Sequence, residues 1–401
     1  MNRPEILAPV GDFAMLSSAI NAGCDAIYFG AKILNMRANA KNFEINQIKN
    51  VVDICHENKV KAYLTVNTII YENELKILEE LLKKAKEANV DAIIAWDLAV
   101  IQKAKELGLE IHLSTQASVS NSEALKGYQK NFGIQRVVLA RECSLEQIKE
   151  IKKKTKLEIE CFIHGAMCLS ISGRCFMSQF LFNCSANRGE CLQPCRRQYK
   201  IVDSEEPDKE LLIGPNYALS PKDLCTLPII DKLIGVIDVF KIEGRNKGPE
   251  YVKIVVECYK EAIDLFFEGK LDEPAKQRLI EKAKTAHNRG LSTGFYVGKP
   301  MKEWAEIKGS RATKTKKYIG IITKVYKKVN SVDVKIEAGS LKINDNILII
   351  GDKVGVCEQK ITSLQIKDGT SVSQANKGDL AGLLIKGDIT KIMPKDKVFV
   401  F

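Results

Sequence analysis

Short apolar runs alternate with amphipathic, lysine- and glutamate-rich stretches along the first 250 residues. The runs fall at 5–10, 26–30, 61–68, 92–97, 110–115, 136–142, 157–164 and 236–243. Between them, stretches such as 74–88 and 145–154 carry apolar residues at helical spacing. A strand and helix repeating every 25–35 residues or so is the rhythm of a parallel sheet with crossover helices. Eight such units predict an α/β fold of the (β/α)8 TIM-barrel type, whose site lies at the carboxyl ends of the strands. A doubly wound open sheet is the rival fold, but no GxGxxG turn follows the first run.

Polar residues close these runs: Asp12, Asn67, Asp97, Gln116, Arg141, Glu142, His164, Glu243 and Arg245. Their recurrence at one end of otherwise apolar strands predicts a shared mouth. The rhythm breaks once, between the seventh and eighth runs, where an excursion over about 165–235 is far longer than a βα loop needs. Beyond Gly290 helical periodicity fades. β-like runs separated by Gly, Asn and Asp turns then predict a small antiparallel β-barrel over 317–401. The expected organisation is a barrel over 1–300, a linker over 301–316 and this carboxyl-terminal domain. Segment 377–385 and the ending from Pro394 resemble the β-barrel second domain of translation GTPases, which carries no chemistry of its own.

Composition is ordinary for a globular chain, with 45% hydrophobic and 28% charged residues, which excludes disorder and fibrous repeats. No run of 18 or more apolar residues is present, so no membrane partner is expected. The amino terminus has no apolar leader, which predicts a cytoplasmic protein. Twelve cysteines in that setting read as thiols or metal ligands rather than a disulfide framework. The net charge is +11, and residues 301–401 hold 19 basic against 11 acidic side chains, so most of the excess sits in the last quarter. That asymmetry points to a polyanionic partner such as RNA. Lys314, Lys316, Lys317, Lys324, Lys327 and Lys328, with Tyr318 and Tyr326 interleaved, are the candidate contacts.

Six of the twelve cysteines lie between 161 and 195. Cys168, Cys175, Cys191 and Cys195 have a regular arrangement in which only the last pair is tight. Zinc sites favour two closely spaced pairs, whereas an iron–sulfur cluster needs only thiolates that converge on one cube. The spacing therefore favours iron–sulfur. Cys24, Cys55, Cys143 and Cys258 sit in apolar or helical text and read as small buried hydrophobes. Cys161 reads as packing within its strand, and Cys184 and Cys225 are left as spares.

Residues 160–178, Glu-Cys-Phe-Ile-His-Gly-Ala-Met-Cys-Leu-Ser-Ile-Ser-Gly-Arg-Cys-Phe-Met-Ser, resemble the signature of peptidase family U32, the collagenase-like peptidases. Segments 187–199, 219–225 and 241–245 and the opening 5–11 extend the resemblance over nearly the whole chain. The family name implies proteolysis, but its better-understood members are iron–sulfur proteins that hydroxylate nucleobases or cofactors. Chains of this length resemble those that make 5-hydroxyuridine at the tRNA wobble position with prephenate as a required metabolite. Relatives act on ribosomal RNA or on a small molecule.

That resemblance implies a [4Fe–4S] cluster on Cys168, Cys175 and Cys191, with Cys195 or Cys225 as the fourth ligand. Arg196, Arg197, Lys241 and Arg245 are then candidates to bind prephenate-like carboxylates or RNA phosphates. His164 and Glu243 are candidates to move protons near the base. The expected partners are tRNA and a small anionic metabolite. A conventional protease is disfavoured because neither HExxH nor GxSxG occurs, although a Ser–His or Cys–His pair at His164 stays open.

Overall fold

In the computed structural model every residue is described except 214–218, 308 and 367–368. Parts of the expected excursion and linker therefore lie outside the described residues. Strands β1 (Glu5–Pro9), β2 (Ala26–Gly30), β3 (Lys61–Thr65), β4 (Ala92–Ala95), β5 (Ile111–Leu113), β6 (Arg136–Val138) and β7 (Glu158–Gly165) pair in parallel in chain order. An insertion follows, carrying the exposed hairpin β8 (Tyr199–Val202) and β9 (Glu210–Ile213), then β10 (Asp223–Cys225). Strand β11 (Val239–Ile242) pairs in parallel with both β7 and β1 and closes the cylinder. The chain folds as the expected eight-stranded parallel barrel, and its strands fall on the eight predicted runs.

Helices α1 (Phe13–Asn21), α2 (Ile48–Glu57), α3 (Leu75–Glu87), α4 (Leu98–Glu106), α5 (Ser122–Phe132) and α6 (Leu145–Lys153) wrap the outside. The short α7 (Met177–Phe182) lies in the insertion, and α8 (Ile230–Leu233), α9 (Pro249–Phe267) and α10 (Glu273–Lys284) complete the layer. Local chemistry sets the helix ends. Asp12 and Asp97 cap α1 and α4 by accepting from the amides of Met15 and Ala99. Ser144 and Gln147 form a capping box on α6. These caps explain the polar residues Asp12 and Asp97 at strand ends as structural.

Alternation along the strands divides the apolar residues between two cores. Ile6, Ala8, Ile27, Phe29 and Phe240 face the helices, while Leu7, Tyr28, Tyr63, Ile94 and Val239 fill the interior. Cys24, Cys55, Cys143, Cys161 and Cys258 are buried in the outer layer, as expected of small hydrophobes. The interior also carries charge. Near the amino ends of the strands Arg136 pairs with Glu5 at 2.8 Å and with Glu158 at 2.8 Å, and Tyr63 donates to Glu5 at 3.1 Å. One level up, Glu160 accepts from Lys241 at 2.6 Å and lies 3.7 Å from Arg136.

Gly165 ends β7 with φ +107°, a conformation that favours glycine. A Cβ there would lie 2.4 Å from the Glu243 carbonyl oxygen and 2.9 Å from the Tyr251 hydroxyl. Gly165→Ala is expected to lower stability by at least about 1–3 kcal/mol from backbone strain alone. A lower urea midpoint measures it, and an unchanged midpoint contradicts this account of the turn.

After β12 (Leu291–Ser292), which pairs with β10, the chain enters the carboxyl-terminal β region. Strands β13 (Lys317–Tyr326), β14 (Ser331–Ile336), β15 (Ser340–Lys342), β16 (Asn346–Gly351), β17 (Gly355–Lys360), β18 (Leu364–Gln365), β19 (Gln374–Asn376), β20 (Leu380–Leu384) and β21 (Lys397–Val400) follow. Seven of them form a curled antiparallel sheet in the order β17-β16-β21-β13-β14-β20-β18, around a core of its own that includes Ile322, Val334, Ile349 and Val398. The sheet docks on α1: Ser17 donates to the Asp352 carbonyl at 2.5 Å and Asn21 to the Val354 carbonyl at 3.2 Å. Gly355, at φ +65°, permits this approach, since a Cβ would meet the Ser18 amide nitrogen at 2.7 Å.

Candidate active site

The carboxyl ends of the strands open into a cavity of about 240 Å³, roofed by the insertion. Cys168, Cys175, Cys191 and Cys195 all line it. The loop that carries them is stitched down by neighbours. Asn187 accepts from the Cys175 amide at 2.7 Å. The buried Ser178 hydroxyl lies 3.9 Å from the Cys191 sulfur and accepts from the Leu192 amide at 3.1 Å. Arg196 donates to Ser220 at 2.9 Å, to the Pro221 carbonyl at 3.3 Å and to the Met167 carbonyl.

Electrostatics shows that the thiols share one space. Burial pushes the Cys195 thiol up, Arg196 pulls it down, and the nearby Cys168, Cys191 and Cys175 push it up again. Cys225 stands apart. It is buried on β10, within reach of Tyr259 on α9, and burial pushes its thiol up to about 11. Among the described residues no three His, Cys, Asp or Glu side chains close on a point as the ligands of one ion would.

The floor is built from strand ends. Glu243, just after β11, accepts from Arg37 at 3.1 Å and lies 3.5 Å from an Arg141 nitrogen. Burial pushes its carboxyl up, but Arg37, Arg141 and Arg245 outweigh this and hold it below the usual range. Arg141 stacks 3.9 Å from the centre of the Phe162 ring and donates to the Ala166 carbonyl at 2.8 Å. Its Nε is buried without a partner among the described residues. Beneath Glu243 lies a small chamber of about 30 Å³ bordered by Lys241, Arg245, Gln116 and Asn67. Arg245 is committed there to Asn35 at 3.1 Å and Thr65 at 3.2 Å.

Lys247 and Arg289 also line the cavity. Arg289 pairs with Asp223 at 3.2 Å. Burial and the Arg289 charge push the Lys247 amine down to about 8. Sequence reasoning missed Arg37, Lys247 and Arg289, because each sits in a loop or turn without periodicity.

Lys241 and Arg245 border the small chamber and not the cavity, and two expected site residues reach neither space. Arg197 is exposed and stacks 4.1 Å from the centre of the Phe182 ring. His164 is turned away from the mouth. Strand β7 slips register against β11 between Lys241 and Ile242, so Phe162 pairs with Lys241 but His164 with Ile242. This bulge reverses the alternation, and His164 joins the outer face. There it packs on Tyr251 and Tyr259 with its Nδ1 3.4 Å from the Tyr259 hydroxyl, and burial pushes its pKa down to about 4. It packs there as a neutral residue and lines neither the cavity nor the chamber beneath it.

Comparison with known proteins places this architecture. A protein from Porphyromonas gingivalis named collagenase is 41% identical over 100% of this chain and 98% of its own length. An uncharacterized protease from Methanocaldococcus jannaschii is 43% identical over 94% of each chain. The tRNA hydroxylation protein P1 of Bacillus subtilis is 34% identical over 93% of this chain and 89% of its own. The model of peptidase family U32 matches residues 11–306, and the chain belongs to that family.

Proposed function

We propose that this chain is an iron–sulfur-dependent RNA-modifying enzyme that hydroxylates the wobble uridine of tRNA to 5-hydroxyuridine. The observation that carries this reading is the set of four thiols around one cavity at the barrel mouth. In this reading the four thiols that line the cavity hold a [4Fe–4S] cluster. One tetrahedral zinc ion holds its thiolates roughly 4 Å from one another. A cube of iron and sulfide takes a wider set of thiolates. Cys195 rather than Cys225 is the fourth ligand in this reading, because it faces the other three. The cluster, when bound, supplies redox chemistry at the cavity roof.

The chain's own residues select and orient. Glu243 stays ionised between Arg37 and Arg141, so it accepts hydrogen bonds and suits the N–H of a base better than proton donation. The Lys247 amine and the Arg141 guanidinium at the cavity wall offer positive charge to a small anion, prephenate in this reading. Arg196 and Arg245 are largely committed to protein acceptors and hold the site in shape. Similarity to a tRNA hydroxylation protein over most of both chains supports the substrate class.

Peptide hydrolysis, the activity in the relatives' other name, would need a Ser–His or Cys–His pair at the cavity, and His164 faces the helix layer instead, against Tyr251 and Tyr259. Nucleoside mass spectrometry of tRNA from a strain lacking the gene tests the proposal. Loss of 5-hydroxyuridine and its derivatives, restored by the wild-type gene, is the expected result. An unchanged nucleoside profile overturns it.

A further inference from the structure

A second, larger space lies between the barrel and the carboxyl-terminal sheet. This cleft measures about 820 Å³. Its barrel wall is the start of α1, the loop around Lys41 and the turn from Arg245 to Pro249; its other wall is the β16–β17 turn and the segment leading into β21. Six lysines line it: Lys41, Lys247, Lys316, Lys353, Lys395 and Lys397. Lys41 is paired with Asp12 at 2.7 Å and Lys316 with Glu250 at 2.7 Å. Lys353, Lys395 and Lys397 are exposed and have no ion-pair partner among the described residues. Phe399 gives the cleft an aromatic wall, with the Lys316 amine 4.8 Å from its ring centre.

The cleft adjoins the site. Asn246 and Lys247 border both the cleft and the cysteine-lined cavity, and Arg245 borders both the cleft and the chamber beneath Glu243. A groove with six lysines and Arg245 against Asp12, Asp352 and Asp396, an aromatic side wall and a cavity at its end suits a polyanion with pendant planar groups rather than a peptide. Reaching a base in a cavity also requires that base to be drawn out of its stack, with flanking phosphates held outside.

We propose that this cleft is the track for a single-stranded RNA segment, with Lys353, Lys395 and Lys397 on its phosphates and Lys247 at the junction where the reacting nucleotide turns inward. The assignment rests on the RNA-modification reading and adds to it the path of the strand. It gives the carboxyl-terminal sheet a task set by position: it supplies the second wall of the groove.

The test compares two full-length triple variants of equal charge change by titration with labelled tRNA across a range of salt. One is Lys353→Ala/Lys395→Ala/Lys397→Ala in the cleft. The other is Lys335→Ala/Lys360→Ala/Lys386→Ala, in the same domain but outside the cleft. Each single-strand phosphate contact contributes about 0.7 to the salt slope, so the cleft variant is expected to lose roughly 2 from the slope and on the order of 100-fold in affinity near 0.1 M salt. The control variant is expected to stay near wild type. Equal losses in both variants, or none in the cleft variant, overturn the track while leaving RNA modification standing. A wild-type protein that fails to bind tRNA, or binds with a flat salt response, overturns the RNA reading itself. Unchanged circular dichroism in both variants assigns the loss to binding, and a folding defect confined to the cleft variant counts against the assignment.

Discussion

Cys168→Ala and Cys191→Ala are each expected to abolish stable iron binding after anaerobic reconstitution, whereas Cys225→Ala is expected to leave it intact. The contrast follows from placement. Cys168 and Cys191 are exposed to the cavity they share with Cys175 and Cys195, while Cys225 is buried under α9 and bonded toward Tyr259. A wild-type preparation is expected to hold about four irons and four sulfides per chain, the content of one [4Fe–4S] cluster. Iron and sulfide quantification with an absorption spectrum reads this without any substrate. Full iron in the Cys191→Ala protein would return the loop thiols to a structural role. Loss of iron in Cys225→Ala would move the fourth ligand to β10. Ser178→Ala is a milder probe of the same loop, since its hydroxyl positions Cys191 and such supporting contacts typically change metal affinity about 10–100-fold.

The second large effect concerns the charges inside the barrel. Glu160 is fully buried, and its nearest ionic partner is Lys241, itself 4% exposed, at 2.6 Å, with Arg136 farther off at 3.7 Å. Removing one partner of a buried pair leaves an uncompensated charge, so Lys241→Ala is expected to cost about 3–5 kcal/mol. The apparent melting temperature should fall by about 5–8 °C. Lys241→Met combined with Glu160→Leu should recover most of the loss, because two apolar groups replace the pair without stranding a charge. If the double variant is no better than the single, the pair is not the source of the cost.

The pH dependence has a defined sign. Burial raises the Glu160 carboxyl, but Lys241 and Arg136 outweigh it and hold the group below its usual range. Its stabilisation is therefore present above the unfolded carboxylate value of about 4.3 and is lost as pH falls through the lower folded value. Urea midpoints of wild type should drop in acid more steeply than those of the double variant.

Much of this was readable from the chain because parallel barrels repeat one unit. Apolar runs of strand length recur with the helical stretches between them, and every run became a strand pairing with its predicted neighbours. The gathering of the insertion's thiols was legible because their density in loop text sets them apart from the cysteines in apolar runs, and four of them line one cavity. Other features carried no such signal. The hairpin of β8 and β9 and the short β10 lie inside the insertion, where no repeat announces them. Arg37 and Lys247 reach the cavity from loops whose course depends on tertiary packing. His164 was misread as a mouth residue because alternation from Glu160 and Phe162 predicts an inward side chain. The register slip that reverses it appears only once β7 is paired with β11.

That slip separates two frames of reference within a single strand. Up to Phe162 the side chains of β7 keep the phase of the cylinder. From His164 onward the chain keeps the phase of β10, which meets it at Gly165 and His164. The roof of the cavity is thus aimed by the outer partner and not by the barrel. Insertions in the exposed β8–β9 hairpin should leave the thiols in place, but one residue inserted between His164 and Gly165 should turn the cysteine loop to the opposite side of the wall. In this fold, the geometry of the roof is encoded as a count of residues.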